Sequence, residues 1–91
     1  MSVIIITYDL NDLTKDYTPF FTTIQNQGVW WHNLRSTWLI DTPKTPAEVY
    51  EAVRHFMTAN DRIFIAHLGD GYSGWLDAHA WAWIQARLRQ A

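Results

Sequence analysis

An α+β fold with the element order β-α-β-β-α-β and one further C-terminal helix is predicted by three observations. A run of β-branched residues, Val3–Tyr8, opens the chain. Two later segments, around Phe20 and Val49, carry apolar residues at helical spacing. Val29–Asp41 and Arg62–Leu68 are aromatic and β-branched, with polar breaks at their ends. The 91 residues suit one domain, residues 1–91, with a single modest core.

Val3–Tyr8 is apolar at every alternation, as expected of a strand covered on both faces. Leu10–Asp16 is a polar turn, after which Tyr17, Phe20, Phe21 and Ile24 recur at helical spacing. Pro19 is tolerated only in a first turn, so this helix is expected from about Asp16 or Tyr17 to about Gln27, with Gly28 at its C′ position. Val29–Leu34 and Ser36–Asp41 read as two strands joined by a tight turn, or alternatively as one bent strand with a bulge near Arg35. Thr45-Pro46-Ala47-Glu48 is a helix start with Thr at the N-cap, Pro at N1 and Glu at N3, and the second helix should end near Thr58. Arg62–Leu68 is the fourth strand. Gly69–Gly74 is a flexible loop, Trp75-Leu76 a short extension strand, and Asp77 the cap of a last helix to about Arg89.

This order is the ferredoxin-like arrangement, in which the sheet runs 4-1-3-2. The exit of strand one at Asp9, the turn at Leu34-Arg35-Ser36 and the entry of strand four at Asp61-Arg62 then fall at one end of the sheet, together with the positive end of the first helix.

Composition narrows the function. The absence of cysteine excludes disulfides and thiolate metal sites and allows a reducing cytoplasm, the expected location. Nothing resembles a signal peptide, and no apolar run approaches the roughly 18–20 residues of a membrane span. A net charge of −2 lends no support to tight, nonspecific DNA binding. Six tryptophans in so short a chain favour a subunit contact.

Asp9 is the first candidate for chemistry. It reads either as a carboxylate ligand for Mg²⁺ or Mn²⁺, with a second carboxylate from Asp61 or from a two-fold partner, or as the cap of the following turn. Arg35 and Arg62 suit a phosphate held bidentately, or a solvated turn charge. Ser36 suits a hydrogen bond to a phosphate oxygen, or turn formation. His32, between tryptophans on an edge strand, reads as a substrate contact or acid/base, or as a half-buried, hydrogen-bonded ring. His55, His67 and His79 complete the histidines, and no pair has the spacing of a helical zinc site. Trp30, Trp31 and Trp38 suit base stacking or, more simply, core and interface packing.

The segment IIITYDL resembles the first strand of the CRISPR-associated Cas2 family, which ends in Tyr-Asp and an aliphatic residue. A wider resemblance, through WWHNLRSTWLI, NDRIFIAHL and GWL…AWAWI, is to small bacterial and phage proteins labelled "SinR family", which are sometimes grouped with Cas2 and VapD-type proteins. That label borrows a repressor's name, but the sequence carries no helix-turn-helix. The resemblance implies a ferredoxin-like homodimer that handles nucleotides or nucleic acid. Several Cas2 proteins are metal-dependent nucleases and others are scaffolds without catalysis. It implies Asp9 as the metal-binding catalytic residue, and Ser36 matches the serine that the family carries early in its third strand. Tyr8, His32, Arg35 and Arg62 are the expected substrate contacts. The chain departs from that family in its net acidity and in ending on a tryptophan-bearing helix. The alternative class is a homodimeric interaction module that binds a protein or small ligand.

Overall fold

The structure is a computed structural model that describes residues 2–88. Its strands are β1 (Ser2–Asp9), β2 (Val29–Leu34), β3 (Thr37–Thr42) and β4 (Arg62–His67), and its helices are α1 (Thr18–Gln25), α2 (Pro46–Val53) and α3 (Ala78–Leu88). The strands form one sheet in the order β2-β3-β1-β4, each neighbouring pair antiparallel. The fold class is therefore α+β.

Each helix begins where local chemistry requires it. Thr45 caps α2 reciprocally: its hydroxyl accepts from the Glu48 N–H at 3.2 Å, and the Glu48 carboxylate accepts from the Thr45 N–H at 3.0 Å. Asp77 Oδ1 accepts from the Ala80 N–H at 2.8 Å at the start of α3. In α1, Asp16 Oδ1 accepts from the Thr18 N–H at 2.9 Å, and Pro19 falls in the first turn.

Several boundaries differ from expectation. The second helix stops at Val53 and tightens into a 3-10 turn over Arg54–Phe56. Gly28 is not a left-handed cap, since no glycine among the described residues has a positive φ. It is required because a Cβ there would fall on the Asp41 carbonyl oxygen. Trp75-Leu76 forms no strand, and its surroundings, residues 71–77, carry no regular structure. The expected helix end at Arg89 lies outside the described residues. Two strands do flank the Arg35-Ser36 turn, and an irregularity sits one step earlier, where register shifts between Trp31 and Leu34.

Because side chains alternate across a strand, β1 feeds two cores. Ile4, Ile6 and Tyr8 meet Phe20 and Ile24 of α1 and Val49 and Val53 of α2. Val3, with Trp31 and Leu39, meets Ala80 and Ile84 of α3 on the other face. The apolar reading of both β1 faces is thus a consequence of helices on both sides of the sheet. Each fully buried isoleucine or phenylalanine contributes about 1.5–3 kcal/mol by leaving water. Arg87 closes the α3 layer, with its guanidinium 4.2 Å above the Trp83 ring and its Nε 3.2 Å from Asp41 Oδ2. No described helix is long and apolar enough to cross a membrane.

Candidate functional site

β1 ends at Asp9, which by alternation shares the α3 side of the sheet with Thr7 and lies on the face opposite Tyr8. Across the antiparallel pair, Asp9 faces Arg62 and Thr7 faces Phe64. On the other flank, the backbone N–H of Tyr8 donates to the Ser36 carbonyl at 3.1 Å, which holds the Arg35-Ser36 turn against the end of β1. Asp9, Arg35, Ser36 and Arg62 therefore gather at one end of the sheet, and all four are exposed.

A shallow depression of about 220 Å³ opens here, lined by Thr7, Tyr8, Asp9, Arg62, Ile63 and Phe64. Arg62 is anchored in it: Nη1 donates to the carbonyls of Asp61 at 2.8 Å and Ala59 at 3.2 Å. That leaves the Nε and Nη2 edge to donate outward. Phe64 is 65 % exposed, a large apolar ring beside two charged groups. The ion pairs among the described residues, Arg54–Glu51 and Arg87–Asp41, leave Asp9 out. The depression thus offers a carboxylate, a hydroxyl, half of a guanidinium and an aromatic face.

Asp61, the expected second carboxylate, is committed elsewhere. It is 7 % exposed and accepts from the Asn11 N–H at 2.7 Å, the Thr58 N–H at 2.8 Å and the Tyr17 hydroxyl at 2.8 and 2.9 Å. Burial pushes its pKa up, but the donated hydrogen bonds outweigh burial and hold it below the ordinary carboxylate value. The Tyr17 hydroxyl moves the other way, raised by desolvation and by its bond to Asp61. Asp61 is thus a clasp that ties the loop after β1 to the loop before β4. Its neighbour Asp12 caps its own turn, accepting from the Thr14 N–H at 3.0 Å and hydroxyl at 2.6 Å.

Two expected substrate contacts have their side chains engaged elsewhere. The Tyr8 side chain points into the α1–α2 core, where its hydroxyl accepts from Trp38 Nε1 at 2.9 Å and burial raises its pKa. His32 stacks flat on Trp38, ring centroids 3.8 Å apart and 3° from parallel, and its Nδ1 is 2.9 Å from the Thr37 carbonyl. Alternation along β2 from Trp31, which packs on the α3 side, sets His32 on the α1–α2 side, so it does not share a face with Asp9. Thr7, Ile63 and Phe64 were not singled out from the sequence. Their signal is period two, since Arg62 and Phe64 share one face of RIFIAH as Thr7 and Asp9 share one face of β1.

A divalent ion of the kind expected at Asp9 takes about six oxygen ligands, several of them commonly carboxylate. Among the described residues no three His, Asp or Glu side chains gather to hold a metal. With Asp61 and Asp12 already accepting hydrogen bonds, one chain presents Asp9 alone. The donor set of a single chain does not fit the metal. Arg54 is paired on its own helix, its Nε 2.9 Å from Glu51 Oε1.

No protein-family profile matches this chain, and no solved structure matches it.

Proposed function

We propose that the protein binds a nucleotide unit, free or within single-stranded nucleic acid, in the depression at the Asp9 end of a ferredoxin-like, Cas2-like sheet. The strand order β2-β3-β1-β4, with α1 and α2 on one face, supports that kinship. The observation that carries the reading is the meeting of exposed Phe64, the outward edge of Arg62, the Thr7 hydroxyl and the free Asp9 carboxylate in one depression. An aromatic face stacks an unpaired base. A guanidinium edge donates to phosphate. A carboxylate accepts from a base amino group or a sugar hydroxyl. Arg35 and Ser36, on the adjoining turn, extend the polar rim. With one carboxylate per chain, the proposed activity is binding, and no hydrolytic step is derived for a single chain.

The test is titration with nucleoside monophosphates and short single-stranded RNA and DNA, at low and moderate salt. Phe64→Ala should weaken binding by roughly tenfold or more, since stacking on an aromatic contributes about 1–3 kcal/mol per base. No binding by the wild type at millimolar nucleotide, or an unchanged Phe64→Ala, would overturn the reading.

A second reading, a homodimeric interaction module, is favoured by the free edge of β4. Leu68 N donates to the Val3 carbonyl at 2.9 Å, so the backbone groups of Arg62, Phe64 and Ala66 face β1 and those of Ile63, Ile65 and His67 face outward. Exposed Phe64 and Tyr50 flank that edge. Such an edge invites a further strand, and a second copy supplies one. Sedimentation of the wild type beside Ile65→Pro, which removes an outward N–H, distinguishes the two: a dimer lost in the variant supports edge pairing, and a monomeric wild type rules it out. We also propose the cytoplasm as its location, which the cysteine-free sequence suits.

A further inference from the structure

α3 covers only part of its face of the sheet. Val3, Trp31 and Leu39 are buried with Ala80 and Ile84, whereas at the levels of Thr7 and Asp9, nearer the end of β1, the side chains are half-buried or exposed. Strand register sets that open part in two rows that cross the sheet. Thr7 faces Phe64 on one flank and Thr37 on the other, and Thr37 faces Leu34, so these four side chains stand abreast on one face. At roughly 4.8 Å per strand the row spans about 14 Å. Its apolar ends, Phe64 and Leu34, are 65 % and 44 % exposed, and between them the Thr37 hydroxyl donates to the Thr7 hydroxyl at 3.3 Å.

The second row, one step nearer the sheet end, sets Arg62 opposite Asp9. The bond from the Tyr8 N–H to the Ser36 carbonyl continues the β1–β3 register, so Arg35 comes level with Asp9 on the other flank. The carboxylate has an arginine on either side, their backbones two strand spacings or about 10 Å apart. Like-charge repulsion keeps a phosphate off Asp9 itself and leaves a place for one at each arginine. The far half of the first row borders a cavity of about 160 Å³, whose lining includes Leu34, Thr37, Tyr72 and Ser73. A volume of roughly 150 Å³ accommodates one aromatic ring. Tyr72, stacked on Trp81 with ring centroids 6.1 Å apart and 19° from parallel, gives it an aromatic wall, and the Tyr72 and Ser73 hydroxyls add hydrogen-bonding groups. The face thus offers two places for a ring and two for a phosphate, of which a single nucleotide fills one each.

Resting on the nucleotide reading of the Asp9 depression, we propose that the ligand is a single strand of at least two nucleotides laid across the β-strands. One base stacks on Phe64 and the next packs between Leu34 and Tyr72. Their phosphates meet Arg62 and Arg35.

The test compares uridine monophosphate with the dinucleotide pUpU, which carries two bases and two phosphates. Each is titrated into the ¹⁵N-labelled protein at one ionic strength. The expected result is that pUpU binds roughly fivefold or more tightly, from the contacts of the added base and phosphate. The monophosphate should move the amide signals of Thr7 and Phe64, and pUpU those of Leu34 and Thr37 as well. Leu34→Ala and Tyr72→Ser should each bring pUpU close to the affinity of the monophosphate, whose own binding stays unchanged. Monophosphate binding with pUpU no tighter overturns this proposal alone, as does a pUpU advantage that survives both substitutions. Binding of neither probe overturns the nucleotide reading beneath it as well.

Discussion

Two aspartates stand within a few residues of the same sheet end and do opposite things. Asp61 is buried and takes hydrogen bonds from Asn11, Thr58 and Tyr17. Asp9 is exposed, faces Arg62 across the strand pair and enters no ion pair among the described residues. A carboxylate near a candidate site is therefore not made part of it by position alone. A side chain whose lone pairs are filled by backbone N–H groups holds loops together, and one left open to water is free for a ligand. On this account Asp61 belongs to stability and Asp9 to binding.

The largest effect expected from breaking that comparison is at Asp61. Asp61→Ala strands two backbone N–H groups and a tyrosine hydroxyl, and should cost about 2–4 kcal/mol in urea unfolding. Tyr17→Phe removes one of the clasp's donors, a hydrogen bond to a charged group, and should cost about 1.5–3 kcal/mol by the same measurement. Both variants report the clasp from different sides, so their effects should be less than additive in the double variant.

Acid should act through the same residue. Asp61 has a folded pKa below its ordinary value near 3.9, so the unfolded chain binds its proton more readily. The stability it contributes is full above that ordinary value and is lost as pH falls through the lower folded one. Urea unfolding between pH 6 and pH 2 should show this loss in the wild type and a shallower one in Asp61→Asn. Asp12, Asp16 and Glu48, also held low by local hydrogen bonds, keep part of the slope in both. The smallest effect on stability is expected at Asp9, where Asp9→Ala should change unfolding by less than about 0.5 kcal/mol.

Much of the fold was legible because local signals agreed with one another. The Thr45–Glu48 capping box, the Asp77 cap and the two-sided apolar run of β1 each act within a few residues and kept their meaning in the folded chain. The gathering of Asp9, Arg35, Ser36 and Arg62 at one end was also legible, because it follows from the order of elements alone. The use made of each side chain there was not. Asp61 and Asp9 look alike in sequence, and what separates them is three donors that arrive from residues 3, 44 and 50 positions away. For His32 the sequence left two readings open, and the structure shows a half-buried ring on the edge strand whose Nδ1 meets the Thr37 carbonyl. Gly28 was read as a helix cap when its constraint is the close approach of a strand carbonyl.

The most direct test of the division between the two carboxylates measures unfolding stability and nucleotide affinity on Asp9→Ala and Tyr17→Phe side by side. The account predicts a crossed result. Asp9→Ala should unfold like the wild type and lose roughly tenfold or more in nucleotide affinity, the effect of a charge-assisted hydrogen bond. Tyr17→Phe should lose stability and keep its affinity. An Asp9→Ala protein that binds nucleotide as the wild type does would contradict the assignment of Asp9 to the binding site.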